Sequence, residues 1–378
     1  MEKNKLIKLV KKHGSPLFII DHNIIRENYQ RFKKALPRVQ AYYAVKANSE
    51  PQIIKTLFNE GASFDVASYN EFIEVYNLID KWRDKKKEFF IWDKIIFSNT
   101  IKDRNTLKRI NKYKPLVTYD NLEEVKKIKQ YCSKAGLVLR LKVPDIGSQV
   151  EMASKFGAEP GDASSLIKKA FDLGLKVEGL SFHVGSQCTN FENYVSALNI
   201  TSEVFNEARK KGYELDIIDI GGGFPALYDF NVPRFEKLAA ILNVEFDRLF
   251  TEETEIIAEP GRFIVATSAI LVSEIIGKGK RDNKIFYHIN DGVYQTFSGV
   301  INDHWIPKFH AFKKGKKEIC AVVGQTCDSF DKISLAEHLP GNLSIGDYLL
   351  TENIGAYSIA SSTKFNGFDG AKILNVNN

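Results

Sequence analysis

One phrase recurs between residues 40 and 260 of this 378-residue chain, and it limits the fold more than any other feature. A short apolar or β-branched run ends in Gly, Asn, Asp or Lys, and a helix-patterned stretch follows. The runs are AYYAVK (41–46), FDVAS (64–68), IIFSN (95–99), LVTYD (116–120), LVLRLKV (137–143), GLSFHVG (179–185), DIIDIGGG (216–223) and EIIAEP (255–260). Between them lie stretches such as EPQIIKTLFNEG and AEPGDASSLIKKAFDLG. These carry apolar residues at three- and four-residue spacing and close on glycine, as helices do. Eight such units predict a parallel (β/α)8 TIM barrel; on pattern alone an open doubly wound sheet is the alternative.

The barrel reading makes a sharp prediction, because active sites in such barrels lie at the C-terminal ends of the strands. Those ends read Lys46, Asp65, Asn99, Asp120, Arg140, His183, Gly221 to Gly223 and Glu259. Packing does not explain a charged, glycine-bearing ring on one face. Past Glu259 the texture changes to FIVATSAILVSEIIG, KIFYHIND, AVVGQ, IGDYLLTEN and YSIASS, strand-like runs split by turns. A C-terminal, mostly antiparallel β-domain is expected there, with LFII (17–20) joining it. The division expected is 22–265 for the barrel, and 1–21 with 266–378 for the β-domain.

Bulk properties exclude several classes. The four cysteines (132, 188, 320, 327) show neither CxxC nor metal-ligand spacing, so reduced thiols of a cytoplasmic protein are expected. The N-terminal MEKNKLIKLVKKHG lacks the apolar centre of a secretory signal, and no window of 18 uninterrupted apolar residues predicts a membrane span. Net charge is +6, but the densest lysine run, Lys85 to Lys87, is followed by acid and aromatics. That reads as a solvated face rather than a nucleic-acid patch.

Each strand-end group has an ordinary reading beside a chemical one. Lys46 alone reads first as a lysine that snorkels to solvent, and only second as a Schiff-base amine. DIGGGFP exposes backbone N–H groups suited to a phosphate, with neither Walker nor dinucleotide spacing. In EPGRF, Glu259 can reach into the barrel, while Gly261 and Arg262 supply a donor and a guanidinium to the same phosphate. His183 lacks a second His or Cys at ligand spacing, so no metal is expected. Its flat ring could stack on an aromatic cofactor, with Ser186 reaching the phosphate. In the β-domain, NDGVYQTFSGVINDHW and GQTCDSFD carry Asp303, Cys327 and Asp328, which by themselves are equally surface features.

Taken in order, YAVKAN, FDVAS, KFGA (155–158), SFHVGSQ, DIGGGFP, EPGRF, NDGVY, NDHW, TCDSFD, ENIGAYS and TKFNGF span the chain. Together they resemble the alanine-racemase-like, fold-type III pyridoxal-phosphate decarboxylases, and among them the ornithine/lysine decarboxylases. The resemblance implies a barrel plus a β-domain and pyridoxal 5'-phosphate (PLP) as cofactor. It implies a homodimer with shared active sites, and decarboxylation of a basic amino acid: L-ornithine to putrescine in polyamine biosynthesis, or L-lysine to cadaverine. Lys46 would carry the cofactor, His183 stack on its ring and Glu259 hold the ring nitrogen protonated. Asp65 and Arg140 would support them, and Ser186, Gly222, Gly223, Gly261, Arg262 and Tyr357 would hold the phosphate. Cys327 would protonate Cα from the partner subunit. Asp303 and Asp328 would bind the distal cation, with Tyr294 and Phe365 lining the interface. A Lys155–Asp331 bridge across the dimer is a further expectation.

Two departures bear on substrate fit: Gln325 stands where the family often has Pro before TCD, and Ser329 where Gly usually follows the Cys-Asp pair. The segment PDIGSQVEMA (144–153) does not separate ornithine from lysine. Arginine, diaminopimelate or carboxynorspermidine decarboxylases share the fold; the latter two require recognition of a distal carboxylate or a longer chain. A racemase would need a second base, usually tyrosine, where this chain has Cys327. A non-catalytic regulatory homologue would be expected to lack Lys46 or Cys327, and both are present.

Overall fold

The eight apolar runs pair edge to edge because each strand is buried on both faces, the condition under which parallel strands lose the alternation of one-sided sheets. The computed structural model describes residues 2–229 and 231–378. Its contacts group into two units, Arg26–Ile264 and the combination of Met1–Ile25 with Val265–Asn378. Strand β1 (Leu17–Asp21) lies in the second of these.

The strands of the Arg26–Ile264 unit are β2 (Val39–Ala44), β3 (Ser63–Asp65), β4 (Ile95–Phe97), β5 (Leu116–Tyr119), β6 (Gly136–Arg140), β7 (Ser148–Val150), β8 (Lys176–Ser181), β9 (Ser186–Cys188), β10 (Ile217–Asp219) and β11 (Glu255–Ala258). β7 and β9 form a separate antiparallel pair. The other eight close a barrel in chain order, β8 pairing with β10 and β11 returning to β2 in parallel register. Tyr42, Ile96, Leu116, Val138, Ile217 and Ile257, one from each of six strands, meet in its core. Each large apolar side chain fully buried there contributes about 1.5–3 kcal/mol.

Helix starts follow local chemistry. Pro51 opens Pro51–Asn59, where its missing N–H costs nothing. Ser68, Asp103 and Asn121 cap the helices Tyr69–Tyr76, Arg104–Ile110 and Leu122–Tyr131 by accepting backbone N–H groups. The strands end earlier than the apolar runs. Lys46 lies in a 3-10 turn, Val45–Ala47, immediately after β2, so it stands on the rim and not within the strand.

The second unit holds one mixed sheet of β1, β12 (Ala269–Arg281), β13 (Lys284–Ile289), β14 (Phe309–Ala311), β15 (Lys317–Val323), β16 (Lys332–Pro340), β17 (Tyr348–Thr351) and β18 (Lys372–Val376). Its pairings are antiparallel except β1–β18 and β13–β15. The helix Lys3–His13 sets Leu6 and Val10 against Leu17, Ile19 and Val272. Two strand expectations fail. The start of FIVATS is a short helix, Arg262–Val265, followed by a 3-10 turn. YSIASS contains the 3-10 turn Ile359–Ser361. Its serines bond locally, Ser358 Oγ donating to Ile354 O at 2.6 Å and Ser361 Oγ to Tyr357 O at 3.3 Å. Such bonds compete with a sheet ladder.

Candidate active site

The barrel rim assembles the charged ring that the strand ends foretold. Asp65, at the end of β3 and 1% exposed, receives Lys46 Nζ on Oδ2. Its other oxygen accepts the hydroxyl of Ser98, one residue past β4. The two donors thus fix the plane of one carboxylate. Tyr43 Oη donates to Asn48 O at 2.8 Å and pins the turn that carries Lys46.

His183, two residues past β8, accepts from Gly185 N on Nδ1 at 3.1 Å, so the proton of the neutral ring is on Nε2. Burial first, then the charges of Arg140 and Lys46, holds its pKa well below the usual value and keeps it neutral. Arg140, Ser98, His183, Asp219 and Glu259 line one small polar cavity at this mouth. Burial, then the charge of Asp65, lifts Glu259 to about 7. Burial and the neighbouring Glu259 raise Asp219 as well. The guanidinium of Arg140 lies 5.0 Å from the Phe156 ring centroid. The KFGA segment docks on β6, Ala158 N donating to Arg140 O at 2.9 Å, while Gly157 N donates to Asp120 at 3.0 Å.

The glycine loop after β10 is held from behind: Gly221 N donates to Asp219 at 2.8 Å and Tyr194 Oη donates to Gly222 O at 3.0 Å. A Cβ on Gly222 would come within 2.8 Å of Glu259 O and 3.0 Å of His183 Nε2, and one on Gly261 within 2.8 Å of Ala47 Cβ. Bare backbone is therefore required at both. Arg262 Nη2 donates to Ser186 Oγ at 2.7 Å and Nη1 to Tyr228 Oη at 2.8 Å.

In the other unit a second cluster forms. Tyr294 Oη donates to Asp328, and the Tyr294 and Phe365 rings stack at 4.3 Å. This bond raises the Tyr294 pKa and lowers that of Asp328. Cys327 is exposed, and its backbone N–H reaches Asn366 Oδ1 at 3.1 Å. Asp303 is buried and caps the C-terminal end of the helix Gly299–Asn302. Tyr357 has φ +53, and a Cβ on Gly299 would meet Tyr357 O at 3.0 Å. Asp331, expected to reach across a dimer to Lys155, is 3% exposed within this chain. Its carboxylate accepts Val293 N at 2.9 Å, Thr326 N at 3.1 Å and Thr326 Oγ1 at 2.7 Å.

Residues 22–266 match the pyridoxal-binding domain of the pyridoxal-dependent decarboxylases. The chain belongs to this family. It is a pyridoxal-dependent amino-acid decarboxylase, and its cofactor is PLP. It is 36% identical to antizyme inhibitor 2 of Xenopus laevis over 375 residues, covering 94% of this chain and 80% of that one. It is 35% identical to a lysine/ornithine decarboxylase of Selenomonas ruminantium, covering 95% and 89%. The lysine/ornithine decarboxylase of Vibrio vulnificus, solved with cadaverine, superposes with a TM-score of 0.90 at 33% identity, covering 99% and 98%.

Three side chains near this decarboxylase's rim carried no sequence role: Ser98, Tyr228 and Gln187. Ser98 and Gln187 fall inside quoted motifs, where the position of a hydroxyl or amide signals nothing until its partner is known. Among the described residues no cluster of His, Cys, Asp or Glu could hold a metal, and no helix is long and apolar enough to cross a membrane.

Proposed function

We propose that the chain decarboxylates a basic L-amino acid, L-ornithine to putrescine in the first place and L-lysine to cadaverine in the second, as a homodimer in polyamine synthesis. The observation that carries this is the ion pair of Lys46 with buried Asp65 at the barrel rim, beside a neutral His183 and the buried carboxyl group of Glu259.

The donor set fits PLP. An aldehyde needs an amine at the rim, which Lys46 supplies. A phosphate needs a cation, a hydroxyl and uncovered backbone, and Arg262, Ser186, Gly222, Gly223 and Gly261 supply them. A protonated pyridine nitrogen needs a carboxylate as its acceptor, and buried Glu259 supplies one. When bound, PLP supplies the electron sink for the charge left at Cα as CO2 departs.

The chain's own residues do the rest. Asp65 holds the Lys46 ammonium and its proton until the amine is required, and Ser98 keeps the carboxylate turned toward it. His183, uncharged, offers a flat face for the cofactor's ring. Arg140 balances the carboxylates of the mouth. Cys327 Sγ, contributed by the partner protomer, delivers a proton to Cα. Asp303 and Asp328 pair with the distal ammonium, and Tyr357 joins the phosphate set. Tyr294 and Phe365 wall the substrate's aliphatic stem.

A distal-cation site makes diamino acids better substrates than diacids. Asp328→Ala should raise KM for L-ornithine by about tenfold while leaving cofactor absorbance intact; an unchanged KM would refute the assignment. The antizyme-inhibitor relative raises a regulatory, non-catalytic reading, but Lys46 and Cys327 are both present and favour catalysis.

A further inference from the structure

The loop that follows the glycine run is tied down more firmly than a surface turn requires. Gln187, in the middle of β9, has φ +52. That left-handed conformation costs a non-glycine residue about 1 kcal/mol or more. The strained backbone directs a buried amide onto Ala226, and the pairing is two-way. Gln187 Nε2 donates to Ala226 O at 2.8 Å, and Ala226 N donates to Gln187 Oε1 at 2.9 Å. Two residues on, Tyr228 N also donates to Ala226 O, at 2.9 Å, closing a tight turn. The consequence is a phenol held in place. Tyr228 Oη accepts from Arg262 Nη1 at 2.8 Å, while Ser186, the neighbour of Gln187, accepts from Nη2 at 2.7 Å.

The guanidinium is therefore gripped by two hydroxyls, one from β9 and one from the clamped loop. Each hydroxyl oxygen accepts from the cation, so its own proton is directed elsewhere and made a better donor by the adjacent charge. Arg262 is a long side chain with rotamer freedom to lose. A phenol fixed beside it before the ligand arrives reduces that loss at the moment of binding.

We propose that Tyr228 is a positioning residue of the phosphate site: held by the Gln187–Ala226 clamp, its hydroxyl presets Arg262 to receive the phosphate of PLP. The inference rests on the reading of Arg262 as a phosphate-holding residue. Tyr228 acts on the phosphate end alone, so its effect depends on whether the ligand has a phosphate. A loop that merely supports the fold would affect phosphorylated and unphosphorylated ligands alike.

The test uses the full-length chain stripped of cofactor, with Kd measured by absorbance for PLP and for pyridoxal, which keeps the aldehyde and ring but has no phosphate. Tyr228→Phe removes one oxygen and should weaken PLP about tenfold, as loss of a hydrogen bond to a charged group does, with pyridoxal unchanged. Gln187→Gly, which relieves the positive φ but removes the clamp, should give a smaller loss of the same selectivity and serves if the first variant folds poorly. Equal losses for both ligands, or no loss for either, overturn the proposal. Arg262→Gln is the reference. If it fails to separate PLP from pyridoxal, the phosphate reading of Arg262 falls, and the role of Tyr228 with it. If Arg262→Gln separates them and both Tyr228→Phe and Gln187→Gly do not, only the positioning role is lost.

Discussion

At the scale of single residues, the rim is a set of groups whose neighbours fix their protonation. Lys46 is partly exposed, but Asp65 beneath it is not, and a buried carboxylate without its cation is costly. Lys46→Ala should therefore abolish the visible absorbance of lysine-bound cofactor; retained absorbance would rule out Lys46 as the anchoring amine. Glu259 makes a pH prediction with a definite sign. Its folded pKa of about 7 stands above the ordinary 4.5, so folding strengthens its hold on the proton. The associated stability is fully present below pH 4.5 and is lost as pH rises toward 7. In cofactor-free protein, Glu259→Gln should remove that decline and gain up to about 3 kcal/mol on the wild type between pH 5 and 8. Urea unfolding at the two pH values measures it, and parallel behaviour of the two proteins would contradict the assignment. Lys46, His183 and Glu259 could be found in the sequence because each ends or follows a strand that the apolar pattern exposes. Ser98 and Tyr228 could not, because a hydroxyl acquires meaning only from the carboxylate or guanidinium that the fold brings to it.

At the scale of elements, the barrel strands were legible for the reason that they are buried: two-sided burial turns a strand into an apolar run bounded by polar residues. Their ends were less so, since a run such as AYYAVK continues its apolar character into the 3-10 turn that presents Lys46. YSIASS misled for the opposite reason: its alternation suits a strand, but serine hydroxyls bond to the local backbone. The loops of the second unit are organised by Asp331, whose three accepted bonds link Val293, beside Tyr294, to Thr326, beside Cys327. A Cβ on Gly324 would lie 2.1 Å from its carboxylate, so the loop is built around that side chain. Asp331→Asn should lower unfolding free energy by about 2 kcal/mol. It should also raise KM for the amino acid while leaving cofactor absorbance unchanged. A loss of cofactor with KM preserved would argue against this bracing role.

At the scale of the whole molecule, the barrel unit carries Lys46 and the sheet-bearing unit carries Cys327 and Asp328. The proposed homodimer completes each site with residues of both protomers. Mixing Lys46→Ala protein with Cys327→Ala protein, each inactive alone, should then restore about a quarter of wild-type activity, since half the dimers would hold one intact site of two. No recovery after subunit exchange would place both residues in the same protomer's site. The order of motifs along the chain made the family legible, whereas substrate choice was not, because motifs such as NDHW and TCDSFD carry the acidic groups proposed for the distal cation without setting the length of the side chain they would accept. The most direct measurement of the central claim is CO2 release by the PLP-loaded protein from L-ornithine, L-lysine, L-arginine and diaminopimelate. Release is expected from L-ornithine foremost, then L-lysine, and none from the Lys46→Ala protein. No release from any basic amino acid, with cofactor absorbance intact, would contradict that claim.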